Sequence, residues 1–185
     1  MTAAKDQGVP GADLWADFAR GAFKGSWTLV PSESSVRLKA KAMWGIVPVK
    51  GTFSELAGSA AVAADGGVTG RLEVKSASIN TKMKKRDAHL RGDDFFASDR
   101  FSDIVFEIDQ VTPTTSGLQV AGRLTVRERT LRLDFPVAVA DLGSGRIGID
   151  TEVQVDRSEL ALSYRGKGAT KMNNALIIHA VFART

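Results

Sequence analysis

The amino-acid sequence predicts an all-β domain, either an antiparallel sandwich or a closed barrel. Three observations predict it. Apolar and polar residues alternate with a period of two along about eight segments. Turn-forming residues such as Asp65-Gly66-Gly67 and Gly143-Ser144-Gly145 separate neighbouring segments. One long interruption, Ser76 to Ile108, holds the dense cluster of polar chemistry. An interruption of that length in a compact β domain is usually functional.

Residues 1–11 are small, polar and contain Gly and Pro, and are expected to be mobile. Asp13 stands at a helix N-cap position. Leu14, Trp15, Phe18, Ala19, Ala22 and Phe23 then recur at helical spacing, and Gly25 can stop the helix. The expected element is an amphipathic lid on the domain; Asp13 and Asp17 on the opposite face argue against an anionic membrane surface. The domain boundary is expected at residue 25, with an N-terminal extension before it and the β domain over 26–185.

From Ser26 the period changes to two. Val36, Leu38, Ala40 and Ala42 alternate with basic residues; Val47, Val49, Gly51 and Phe53 form the next apolar phase after Trp44-Gly45. Gly58 to Gly67 is rich in Ala and Gly. Val68 to Ile79 reads as one strand. After the interruption, Ile104, Phe106 and Ile108 resume the alternation, and Thr112 to Gly117 reads as a loop. Three clean strands follow, carried by Leu118 to Val126, Leu131 to Val139 and Ile147 to Val155. A looser stretch, Arg157 to Asn174, precedes the last strand, Leu176 to Phe182.

Composition excludes several function classes. A chain of 185 residues fits one domain, and at that size a single core buries roughly 70% of the unfolded surface. There is no cysteine, hence no thiolate metal site, redox pair or cysteine nucleophile. His89 and His179 lie far apart in sequence, which argues against a histidine metal centre. A net charge of +4 with three Trp and one Tyr is too weak a basis for nucleic-acid binding. The N-terminus does not read as a secretory signal, and no run of about 20 apolar residues spans a membrane. The expected location is the cytoplasm, without stable membrane insertion.

Arg86, Asp87 and His89 form the best polar cluster, with Lys82, Lys84 and Lys85 adding positive field. Arg86 and His89 could bind a phosphate oxygen, with Asp87 orienting either one. The competing reading has Asp87 cap a short helix and pair Arg86 or Arg91. No G-x-S-x-G elbow is present, and His179, alternating with apolar residues, reads as structural. Asp93 and Asp94 read as a cap or turn. Arginines 123, 127, 129 and 132 read as a solvated face. Small inward residues such as Ala40, Gly51 and Gly122 leave room in a closed barrel, while Phe53, Phe106 and Phe135 could fill it.

The stretch SINTKMKKRDAHLRGDDFFASDRFSDIVFEI, flanked by WTLVPSESSVRLKAKAMWGIVPVKGTFSELAG, GRLTVRERTLRLDFPV and VDRSEL, resembles the YceI-like, polyisoprenoid-binding, lipocalin-type proteins. The pattern of strand, K-R-D-x-H-L, D-F-F and strand carries most of the resemblance. It implies an eight-stranded antiparallel barrel with a short helical insertion around 83–97, in addition to the N-terminal helix. It also implies an elongated apolar cavity for a prenyl chain, such as that of a polyprenyl diphosphate or an isoprenoid quinone. Arg86, Asp87 and His89 map onto the family's polar residues near the cavity mouth, at the ligand head group. Val47, Val49, Leu72, Phe106, Leu124, Phe135 and Ile149 are expected to line the interior. The chain departs from the family at Lys41-Ala42, Glu128 and Ala161, and in its acidic N-terminal segment. The expected function is binding, sequestration or transport of an isoprenoid or other long apolar lipid, with no catalysis, cofactor or metal; a homodimer is compatible with it. The alternatives are an isomerase or hydrolase using Asp87 and His89, or an interaction module with a filled barrel.

Overall fold

The computed structural model of the protein describes residues 12–42, 47–114, 117–160, 162 and 173–185. The segment 1–11 and most of the stretch between Arg157 and Asn174 lie outside the described residues. The alternating segments become strands β1 Gly25–Leu29, β2 Ser35–Ala42, β3 Val47–Phe53, β4 Leu56–Val62, β5 Val68–Lys75, β6 Ile79–Asn80, β7 Asp103–Thr114, β8 Gly117–Val126, β9 Arg129–Gly143, β10 Arg146–Asp156 and β11 Asn173–Arg184. Among the described residues two α-helices accompany them, α1 Ala12–Ala19 and α2 Lys84–Arg91.

Hydrogen bonding runs β1-β4-β5-β7-β8-β9-β10-β11 and returns to β1 through Trp27 opposite Arg184 and Leu29 opposite Phe182. This ring is a closed eight-stranded barrel, and every neighbouring pair in it is antiparallel. Closure leaves no open sheet edge in the ring, which the sandwich alternative would have had. Strands β2, β3 and β6 continue β1, β4 and β5 beyond kinks, and pair with one another and with β11.

Serine hydroxyls make those kinks. Ser34 Oγ donates to Val30 O at 2.8 Å and accepts from Val181 N at 3.0 Å, where β1 gives way to β2. Ser78 Oγ donates to Lys75 O at 2.7 Å and accepts from Ser54 N and Glu55 N, both at 3.2 Å. Ser76, buried, donates to Phe101 O at 2.8 Å. The single strand expected over Val68–Ile79 is therefore broken by a 3₁₀ turn at Ser76–Ser78. The hydroxyls offer the backbone partners that a continuous ladder would otherwise supply. The loop expected over Thr112–Gly117 is largely strand, since β7 runs to Thr114 and β8 starts at Gly117. A Cβ on Gly117 would lie 2.4 Å from Val137 O, and its φ of +154° suits glycine.

Helix α1 begins at Ala12, so Asp13 sits in its first turn and not at its cap. The segment after it packs on one end of the barrel. Phe18, Phe23 and Trp27 form a chain of rings with successive centroids 6.3 Å apart, and Trp27 Nε1 donates to Phe23 O at 2.8 Å. The Arg184 guanidinium lies 4.9 Å over the Trp27 ring and bonds Ala22 O. Deleting residues 1–25 is expected to preserve the β-type circular dichroism and a cooperative thermal transition. Stability should drop by about 2 kcal/mol, because two half-buried Phe rings give up part of the roughly 1.5–3 kcal/mol of a fully buried side chain. A truncated chain that fails to fold would make this segment part of the core.

Candidate ligand-binding cavity

The inward phase of each strand supplies the site. On β10 it reads Ile147, Ile149, Thr151, Val153 and Val155; on β11 it reads Leu176, Ile178, Ala180 and Phe182. These stripes do not pack solid. Two apolar hollows remain, stacked along the barrel axis. One lies toward α2 and has a cavity volume of about 110 Å³. The other lies toward α1, about 160 Å³, and Phe18, Phe23 and Trp27 border it.

Leu72, Phe106, Phe135 and Ile178 border both hollows and form a waist between them. The Phe106 and Phe135 ring centroids are 5.4 Å apart. Gly122 makes room for that contact: a Cβ there would stand 2.5 Å from Phe106 Cζ and 2.3 Å from Glu107 O. The interior thus holds two apolar chambers that share one wall at Leu72, Phe106, Phe135 and Ile178.

The structure brings Leu72, Phe106 and Phe135 to the waist, Leu124 to the α2-side chamber and Ile149 to the α1-side chamber. Val49 shares the inward phase of Gly51 and Phe53 and is half-buried, but among the described residues it is not one of those bordering either chamber. Val47 pairs with Ala42, and its side chain lies outside the described residues.

The polar cluster at α2 has a different placement. Asp87 is buried, and its Oδ1 accepts from Thr81 N at 2.8 Å and Thr81 Oγ1 at 2.6 Å. Arg86 donates to Thr81 Oγ1 at 2.8 Å and to Thr81 O at 3.0 Å; Arg91 donates to Ile79 O at 2.9 Å. Burial alone pushes the Asp87 carboxyl up. The Thr81 bonds and the Arg91 and Arg86 charges outweigh it and hold the carboxyl below its ordinary 3.8. His89 is half exposed, 3.7 Å from Asp94 and edge-on to Phe95 at 5.1 Å between centroids. Arg86, Asp87 and His89 are not among the described residues bordering either chamber. The neighbouring Phe96 does border one, packing edge-on against Phe53 at 5.9 Å.

Asp93 bonds Arg100 at 3.0 Å, so the adjacent acids Asp93 and Asp94 turn to different partners, as expected of a turn. His179 bonds Asp150 at 2.7 Å on the outer face. Arg123 pairs Asp109 at 2.9 Å, but Arg127 is more than a solvated charge: it donates to Phe95 O at 3.1 Å and ties the β8–β9 hairpin to the loop after α2. Among the described residues no group of three or more His, Asp or Glu could hold a metal ion. Among the described residues no helix is long and apolar enough to cross a membrane.

Two residues that the sequence reading passed over complete the α2-side chamber. Continuing the inward phase of β10 by two residues reaches Arg157, and stepping back from Leu176 on β11 reaches Asn174; both border that chamber. Val155 and Asn174 are directly paired, so Arg157 and Asn174 occupy neighbouring inward stripes at the same rim. Burial pulls the Arg157 guanidinium below its ordinary value, with Asp156 opposing. Asn174 Oδ1 is buried with no hydrogen-bond partner among the described residues.

A family model described as a YceI-like domain matches residues 27–182. UPF0312 proteins of Staphylococcus aureus strains N315 and USA300 are each 32% identical over 118 residues, covering 60% of this chain and 64% of theirs. The match thus spans less than two thirds of those relatives. Among solved structures, Burkholderia cenocepacia BcnA superposes with a TM-score of 0.74 at 20% identity, covering 83% of this chain and 98% of that one. A polyisoprenoid binding domain from Saccharophagus degradans, described as implicated in plant cell wall breakdown, gives 0.68 at 15% identity, covering 86% and 98%. A Campylobacter jejuni YceI protein gives 0.61 at 21%, covering 74% and 86%. At these identities the structures are alike in fold.

Proposed function

Because the chain belongs to the YceI-like family, we propose that its barrel binds the hydrocarbon chain of an isoprenoid-type lipid, for sequestration or carriage and without chemistry on it. The observation that carries this reading is the pair of apolar chambers aligned inside one closed barrel. That a structural neighbour is described as a polyisoprenoid binding domain supports it.

Volumes constrain the ligand. An apolar cavity of about 150 Å³ takes one benzene-sized molecule. Each chamber therefore suits a short branched segment, and a longer chain must thread the waist by turning aside Phe106 or Phe135. Affinity need not come from the head group. At about 0.8 kcal/mol per buried CH₂, a chain of roughly 15 carbons gains on the order of 10 kcal/mol before association costs.

The reading is tested by mass spectrometry of an organic extract of the purified protein, and by calorimetric titration of the stripped protein with prenols of graded length. A long apolar lipid in near-stoichiometric amount and saturable prenol binding are expected. An empty extract together with no binding of any prenol would overturn it.

A further inference from the structure

We propose that Lys82, Met83, Lys84 and Lys85 form a docking face for an anionic lipid bilayer, at which the barrel exchanges its ligand. The proposal rests on the lipid-binding reading, because a long apolar chain resides in bilayers and not in water.

The face is held in place by the bonds beneath it. Lys82 takes a left-handed φ of +61°, a conformation disfavoured for a residue with a side chain. Asn80 Oδ1 imposes it by accepting from Lys82 N at 2.8 Å. Asp87 and Arg86 fix the adjacent Thr81. The chain therefore leaves β6 through a set turn and enters α2 with Lys82, Met83, Lys84 and Lys85 all exposed. The face stands at the end of the barrel that holds the α2-side chamber, since Phe96 in the loop after α2 borders that chamber.

Charge and apolar surface coincide here. Met83 is 54% exposed, one of two exposed large apolar side chains among the described residues. Elsewhere on the outer face basic groups have carboxylate partners: Lys75 pairs Asp103, Arg71 pairs Glu107 and Arg123 pairs Asp109. Among the described residues the ammonium groups of Lys82, Lys84 and Lys85 pair with no carboxylate. The acids that follow α2 are engaged, Asp93 by Arg100 at 3.0 Å and Asp94 by His89 at 3.7 Å. The β8–β9 hairpin is tied to the same loop by Arg127, and its tip adds the exposed Arg129 beside Glu128.

Cations around one apolar side chain match the interface of an anionic bilayer. There the lysines meet lipid phosphates and the thioether reaches the acyl boundary. An acidic peptide or a nucleic acid would engage the lysines and leave Met83 in water.

The test is co-sedimentation with vesicles of phosphatidylcholine alone, or with about 30% phosphatidylglycerol, the anionic lipid that gives the surface its negative potential. Wild type is compared with Lys84→Gln/Lys85→Gln, with Met83→Ala, and with Arg20→Gln/Lys24→Gln, which removes the same charge at the α1 end. Wild type should bind the anionic vesicles at about 0.05 M salt and largely leave them at about 0.5 M, where screening is severe. Each basic residue at such a surface is worth about fivefold in partition, so Lys84→Gln/Lys85→Gln should lose about 25-fold and the α1-end pair much less. Met83→Ala should weaken binding to the anionic vesicles and leave binding to soluble polyglutamate unchanged. Thermal transitions should stay at the wild-type value, since every substituted side chain is exposed.

Equal binding to both vesicle types, no binding to either, or equal losses in the two charge pairs would overturn the face. Polyglutamate binding as tight as vesicle binding, with Met83→Ala silent in both, would overturn the bilayer as its partner. Prenol titration separates this result from the reading beneath it. None of the substituted residues borders a chamber, so prenol affinity should be unchanged in every variant. Vesicle failure with intact prenol binding removes the docking face alone, whereas wild type that binds no prenol removes the lipid-binding reading and the proposal with it.

Discussion

Asp87→Ala is expected to lower the unfolding free energy by about 3 kcal/mol, the scale for removing one partner of a buried charged network. The carboxylate accepts two hydrogen bonds from Thr81, and Arg86 holds both polar oxygens of that same threonine. Without it, the Thr81 N–H is stranded in a buried site beside two guanidinium groups that have lost their counter-charge. Asp87→Asn keeps an acceptor and should cost less, about 1–2 kcal/mol. The pH dependence has a definite sign. The folded carboxyl titrates below the ordinary 3.8 of the unfolded chain, so its contribution is complete above that value and fades as pH falls through the folded pKa. Urea unfolding of wild type and Asp87→Asn should therefore show a gap at pH 7 that narrows below about pH 4. A gap under about 0.5 kcal/mol at neutral pH, the level of ordinary surface substitutions, would remove Asp87 from the architecture of this end.

Phe135→Ala is expected to cost about 3 kcal/mol, the lower part of the range for a buried Phe because its ring already borders two hollows. Its second effect is on ligand length. Removing the ring deletes half of the Phe106–Phe135 waist and joins the chambers through a gap on the order of a benzene cavity, about 150 Å³. A prenol long enough to occupy both chambers no longer has to displace a packed aromatic. Its affinity should rise about tenfold relative to a short prenol that fits one chamber, an effect of about 1.4 kcal/mol. Thermal unfolding and parallel titrations with two-unit and four-unit prenols measure both effects. An unchanged length preference would mean that the rings do not divide the ligand's path.

The sequence determined which residues face inward, because successive side chains on a pleated strand point to opposite faces. The stripes of β8, β9 and β10 could be read by counting, and so could the helical interruption, which stands where the alternation lapses. Counting two residues further would also have reached Arg157 and Asn174. Both stand at the edges of the looser stretch between β10 and β11, where the alternation lapses and no spacing marks the end of a stripe.

Tertiary structure alone decided the rest. Closure depends on Trp27 meeting Arg184, at opposite ends of the chain, where no local pattern signals the pairing. The break at Ser76–Ser78 depends on hydroxyl partners at Ser54, Glu55 and Phe101. The cluster Arg86, Asp87 and His89 was visible, but the bonds of Arg86 and Asp87 to Thr81 were not, since no spacing rule marks the role of that buried residue. The chambers were the least legible feature of all. Alternation assigns side chains to the interior one strand at a time, whereas the space left over is the small difference between the volume the closed barrel encloses and the volume those side chains fill once Phe106, Phe135 and Gly122 have met.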